Sequence, residues 1–188
     1  MPTVHVTAVE ATWGPVHLAA WDRGLVACES MTALEWLVER LERRLRTEVV
    51  VGSHPVVDDA AAQLEDFLAD RRRAFDVPID LSDRPAWDQA VLAAVGDVPW
   101  GAVATYGQIA RAVDRTGAAR AVGGAVARSP IGIIVPCHRI VAADGSLGGY
   151  GGDAFASQLD HLRLKRELLL REGVDIPLPA PGPRSARS

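Results

Sequence analysis

The chain has 188 residues, 48% hydrophobic and 23% charged, with 20 basic and 24 acidic side chains and a net charge of −4. These proportions fit one globular domain, or one with a small second lobe, and exclude a collagen-like, coiled-coil or wholly disordered chain. No apolar run approaches the ~18 residues of a membrane span, and the start MPTVHVTAVE lacks the basic and apolar regions of a signal peptide. Two cysteines, Cys28 and Cys137, are too few for a disulfide framework, so a reducing cytoplasmic setting is expected.

The charge is unevenly spread. Residues 1–100 hold 9 Arg against 17 Asp and Glu, whereas residues 101–188 hold 10 Arg and one Lys against 7 acidic residues. A basic half on an acidic protein suits an anionic partner, although chance segregation of solvated charge accounts for it equally well.

Residues 3–28 read as an antiparallel meander of three strands. Val4, Val6 and Val9 mark the first strand, Val16 and Leu18 the second, and Leu25 to Cys28 the third, with turns at TWGP (12–15) and Asp22-Arg23-Gly24. A helix is expected over 32–47, with Thr32 and Glu35 as a capping box and Leu34, Leu37, Val38, Leu41 and Leu45 on one face. A second helix is expected from Val57 to Arg73, then an extended connector over 75–83.

The next helix begins near Arg84 with Pro85 in its first turn, and buries Trp87, Val91, Leu92 and Val95. VPWG (98–101) breaks it. Residues 104–113 form a short helix capped by Thr105 and Gln108, residues 114–117 a turn, and residues 118–128 another short helix. Two short helices around such a turn outline a helix-turn-helix, and the pattern alone fits an ordinary helical hairpin as well. IGIIV (131–135) reads as a buried strand. A DG turn and five glycines between 145 and 152 follow, then a last helix over 155–171 and a Pro-rich disordered tail over 176–188.

The chemistry concentrates in IIVPCHRI (133–140). A thiol becomes a nucleophile when a base or cation favours its thiolate, and Cys137 is followed at once by His138 and Arg139. In a regular strand the first two would point to opposite faces, so cooperation needs a bend or a relaying water. A bare CHR tripeptide is also compatible with a buried structural cysteine.

PCHRI after IIV, with WDQAVLAAVGDVPWGAVATYGQIARAV and ARAVGGA upstream and GGYGG downstream, resembles the O6-alkylguanine-DNA alkyltransferases over nearly the whole chain. The resemblance implies an α/β fold: a small ribonuclease-H-like amino lobe, residues 1–80, of antiparallel strands plus helices, and a mainly helical carboxyl lobe, residues 81–175, with the helix-turn-helix and the active-site strand. It implies Cys137 as nucleophile and alkyl acceptor, His138 as a base acting through water, Glu172 as the carboxylate orienting His138, and Tyr106 as the residue that rotates the nucleotide and donates a proton.

For DNA binding it implies Arg120, which fills the vacated stack, with Tyr106, Ala119, Ala121, Gly123, Gly124, Arg128, Ser129 and Arg139. For the substrate pocket it implies Val135, Pro136, Tyr150, Gly151 and Gly152. The small residues of the second helix suit close approach to the minor groove of double-stranded DNA. The implied activity is irreversible transfer of an alkyl group from O6-alkylguanine, and from O4-alkylthymine, to Cys137 by a monomer without cofactor or metal.

Three features depart from the family pattern. Ser129-Pro130 stands where Asn-Pro is usual, residues 153–164 are longer than usual, and only the scattered His5 and Cys28 are available as zinc ligands. A lesion-binding alkyltransferase-like protein is the alternative, but such proteins replace the acceptor cysteine. A cysteine hydrolase is a third reading, without a recognisable oxyanion motif.

Overall fold

The computed structural model describes residues 2–151 and 156–180. Three strands, β1 (Val4–Ala11), β2 (Gly14–Trp21) and β3 (Gly24–Ser30), form the expected antiparallel meander. A fourth, β4 (Val49–Val51), was not foreseen; it pairs parallel to β1 and gives the order β3-β2-β1-β4. Helices cover both faces. α1 (Leu34–Leu45) sets Leu37 and Leu41 against Val4, Val6, Ala19 and Val26, and α2 (Pro55–Leu68) sets Val57, Leu64 and Phe67 against Val9, Val16, Leu18 and Leu25. This double cover explains why β2 and β3 are apolar almost throughout rather than alternating.

Two helix ends differ from expectation. Thr32 is no cap: α1 starts at Leu34 behind Ala33, and the Thr32 hydroxyl instead donates to the Ser30 carbonyl at 3.4 Å. α2 stops at Leu68 rather than Arg73, because Asp70 turns the chain at φ 57° and Asp66 is taken up by Arg71.

The free edge of β3 ties the two halves together. Leu25 exchanges backbone hydrogen bonds with Pro78 and Asp80 of the connector, at 2.8 and 2.9 Å. Cys28 exchanges them with Pro130 and Gly132, both at 2.8 Å. An edge that would otherwise invite foreign strands is thereby covered. Gly24, at φ 141°, permits this, since a Cβ there would sit 2.8 Å from the Pro78 carbonyl oxygen. The main core runs continuously from the sheet into the helices beyond.

Those helices are α3 (Ala86–Gly96), α4 (Tyr106–Ala112), α5 (Ala119–Ala127) and α6 (Gln158–Arg171), with a 3-10 turn over Cys137–Arg139. Thr105 and Gln108 form the expected capping box on α4. Two short strands, β5 (Ala104–Thr105) and β6 (Ile140–Val141), pair in parallel. This ladder sets the start of α4 beside the exit from the 3-10 turn, which brings Tyr106 and Cys137 into one neighbourhood.

The expected strand over 131–135 is a correction. Only Ile131 bridges, to Cys28, and the chain then folds through two tight turns. Ile134 N–H donates to Gly132 O at 2.7 Å around Ile133 at φ 66°, and Cys137 N–H donates to Val135 O at 2.7 Å around Pro136 at φ −78°, ψ 60°. The second is an inverse γ-turn; the first is its rare positive-φ counterpart, strained for a β-branched residue.

The expected disordered tail is corrected over its first residues: Ile176 and Leu178 pack against the cluster of Leu147, Leu162 and Leu169, and Arg166 holds the Ile176 carbonyl at 3.2 Å. Residues 181–188, Gly152 and the expected helix start at Phe155 lie outside the described residues.

Candidate active site

Cys137 sits at the first position of the 3-10 turn, 5% exposed, and lines a cavity of about 380 Å3. Tyr106, Ser129, Gly149, Tyr150 and His161 line the same space, as do Cys28, Glu29 and Arg40 of the amino half. Burial pushes the Cys137 thiol up to about 11, partly countered by a hydrogen bond from the Ser129 side chain and by the charge of Lys165. The resting sulfur is therefore protonated, and its activation requires a base.

His138 is the next residue in the chain. It is completely buried, and its Nε2 lies 2.7 Å from Glu172 Oε1. Glu172 also accepts from Arg139, whose Nε reaches Oε2 at 2.9 Å and Oε1 at 3.2 Å and whose Nη2 reaches Oε1 at 3.0 Å, and from the Gly101 N–H at 3.1 Å. Burial works to raise the Glu172 carboxyl, but its bonds from His138 and Arg139 outweigh it and hold the group below the usual carboxylate range. Burial lowers the His138 imidazole despite the opposing Glu172 carboxylate. The Nε2–H of a neutral ring thus donates to the carboxylate, which leaves the lone pair on Nδ1. Nδ1 is buried with no hydrogen-bond partner among the described residues.

Arg139 is a correction to the expected DNA-binding set. It is 7% exposed, chelates Glu172 and donates through Nη1 to the Val98 carbonyl at 2.6 Å, so it belongs to the interior. Arg128 keeps an exposed flank, but its Nε and Nη2 grip Asp88 of α3 at 3.0 and 2.7 Å, and Asp88 is 2% exposed. Of the small residues on α5, Ala121 is exposed beside exposed Arg120, whereas Gly123 faces the Tyr106 ring and Gly124 lies under the Arg128 guanidinium. In the expected pocket, Tyr150 and Gly151 line the cavity. Val135 does not; it faces a separate cleft with Phe75, Val77 and Leu92, and Pro136 is buried behind Cys137.

Two site residues escaped the sequence reading. Lys165, the only lysine of the chain, is completely buried and donates to the carbonyls of Ile140, Leu147 and Gly149, the last at 3.0 Å. It thereby fastens the glycine-rich loop to β6, and burial pulls its ammonium down to about 8. A lone lysine in an arginine-rich chain, seven residues before Glu172, was the available signal. His161 is the second. Among the described residues no cluster of three or more His, Cys, Asp or Glu is arranged to hold a metal, and no helix is long and apolar enough to cross a membrane.

The profile of the 6-O-methylguanine DNA methyltransferase DNA-binding domain matches residues 86–174. The methylated-DNA–protein-cysteine methyltransferase of Methanosarcina acetivorans is 35% identical over 167 residues, covering 87% of this chain and 95% of that one. The inducible enzyme of that name from Bacillus subtilis is 30% identical, covering 86% and 88%. The crystal structure of Mycobacterium tuberculosis O6-methylguanine methyltransferase superposes with a TM-score of 0.72 at 33% identity, over 93% of this chain and 95% of that one. The same organism's OGT in complex with DNA gives 0.72 at 31% identity, with the same coverage. Taken with the buried Cys137 and the His138–Glu172 pair, these likenesses are decisive: the chain belongs to the methylated-DNA–protein-cysteine methyltransferase family.

Proposed function

We propose that this protein repairs DNA by direct reversal, moving an alkyl group from O6-alkylguanine in double-stranded DNA onto Cys137. The observation that carries the reading is a buried thiol beside a histidine whose free Nδ1 is set by Glu172. His138 Nδ1 takes the thiol proton through a bridging water. The sulfur attacks the alkyl carbon, the carbon–O6 bond breaks, and the leaving guanine takes a proton from Tyr106, which the proton held by His138 replaces through water. The C–S bond is not hydrolysed, so each molecule acts once. The substrate and Cys137 contain all the reacting atoms. O4-alkylthymine presents the same alkyl–oxygen bond and is the expected second substrate.

In this reading residues 1–80 form a supporting lobe, and residues 81–175 bind DNA and accept the alkyl group. The base must leave the stack to reach a buried cysteine. Arg120, exposed near the start of α5, enters the gap, while Ala119 and Ala121 let the helix approach the minor groove closely. Tyr106 and Tyr150 contact the extruded nucleotide from two walls. The protein works as a monomer in the cytoplasm.

Intact mass after mixing with a duplex bearing O6-methylguanine tests the proposal. One methyl on the Cys137 peptide, absent in Cys137→Ala, is the expected result. Tight binding without mass gain would instead support a lesion sensor.

A further inference from the structure

The active-site cavity contains an ionisable group that the mechanism above does not use. His161, in the first turn of α6, lines the cavity with Cys137, is 8% exposed, and its Nε2 is buried without a hydrogen-bond partner among the described residues. A buried imidazole nitrogen without a partner is costly unless a ligand completes it. The ring is held firmly. A Cβ on Gly151 would come within 2.4 Å of His161 Nδ1, so only glycine, here at φ 66°, allows the imidazole to lie against that backbone.

The helix register puts this group on one face of α6 with two residues that act on Cys137 and His138. His161, Lys165, Leu168 and Glu172 recur at spacings of four, three and four, one inward stripe of α6 and its C-cap. Lys165 acts by its charge on Cys137, and Glu172 binds His138. Of these four, His161 is the one that lines the cavity, together with Tyr150 and Gly151.

We propose that His161 is a catalytic residue that donates its Nε2–H to the six-position oxygen of the extruded base as the alkyl–oxygen bond breaks. Negative charge develops on that oxygen during transfer, and a donor placed there stabilises the transition state more than the ground state. The covalent change is the one given above; His161 supplies a hydrogen bond and keeps its proton. The proposal rests on the repair reading.

The test compares wild type, His161→Phe and His161→Gln in single-turnover reactions on duplexes carrying O6-methylguanine or S6-methylthioguanine, whose sulfur accepts hydrogen bonds poorly. Phenylalanine preserves the packing on Gly151 without a donor; glutamine retains an N–H. His161→Phe should slow transfer from the oxygen substrate about tenfold, the value of one hydrogen bond, and leave transfer from the sulfur substrate within about twofold. His161→Gln should recover part of the loss. An unchanged rate of His161→Phe on O6-methylguanine overturns the proposal, and so does an equal loss on both substrates, which would mark a packing role. Absence of transfer to Cys137 in wild type would overturn the repair reading itself, and this proposal with it.

Discussion

His138 Nε2 and Glu172 Oε1 lie 2.7 Å apart with both side chains shielded from solvent, and Arg139 closes the other side of the same carboxylate. The pair decides which imidazole nitrogen can act as base. Because burial lowers the His138 imidazole, the ring stays neutral where a free imidazole would begin to take up a proton. The rate of transfer to Cys137 should therefore hold steady through neutral pH and fall only below the ordinary histidine value of about 6.5. Glu172→Gln should reduce the rate by about a hundredfold, the lower range for a general base. Single-turnover methylation between pH 5 and 8 measures both. A decline already under way above pH 7 would contradict the assignment.

Arg139 supplies a second test, because its burial separates it from any DNA-facing role. Arg139→Gln leaves Glu172 buried and short of its charged partner, and should destabilise the fold by about 3–5 kcal/mol. The variant that remains folded should bind undamaged duplex with the wild-type dependence on salt, since no phosphate contact is lost. Urea unfolding and a binding series at several salt concentrations distinguish the two effects. A shallower salt dependence would return Arg139 to the DNA surface.

Much of the fold was legible in the sequence because its signals are local. The meander follows from short apolar runs between turn residues, and the start of α4 from Thr105 and Gln108, whose capping box forms as read. The roles proposed for Cys137 and its neighbours came only through the resemblance. What escaped depends on tertiary context. An apolar run such as Ile131–Val135 looks the same whether it extends or folds through γ-turns; the bonds from Cys28 to Pro130 and Gly132 determine which. Arg139 resembles a surface cation until Glu172, 33 residues later, is brought beside it. His161 became visible once the register of α6 placed it on the stripe with Lys165 and Glu172. Thr32 matched a capping pattern, yet the helix began at Leu34.

Arg120 and Arg128 look alike in the sequence and differ in the fold. Arg120→Ala should weaken duplex binding and slow repair in duplex by more than it slows reaction with free O6-benzylguanine, which need not leave a stack. Arg128→Ala should instead leave Asp88 buried without its partner and cost roughly 1–3 kcal/mol of stability. Reaction rates on the two substrates, together with thermal unfolding, check both. Equal losses of Arg120→Ala on duplex and free base would remove the arginine from the flipping step.

The buried thiol also makes stability depend on alkaline pH. Burial raises Cys137 from 9.0 to about 11, so between these values the folded chain holds a proton that the unfolded chain releases. Stability from this group is complete below about pH 9 and is lost as the pH rises towards 11, amounting to at most about 2–3 kcal/mol. Lys165 acts in the opposite sense: lowered from 10.5 to about 8, it makes the fold gain stability as the pH rises between those values. Cys137→Ser removes the first contribution and leaves Lys165 lowered by its burial. Urea unfolding of both proteins from pH 8 to 11 should therefore show the wild type losing ground to the variant as the solution becomes alkaline. A constant difference across that range would mean that Cys137 titrates in the fold as it does in the unfolded chain, and that the cavity is wetter than its lining suggests.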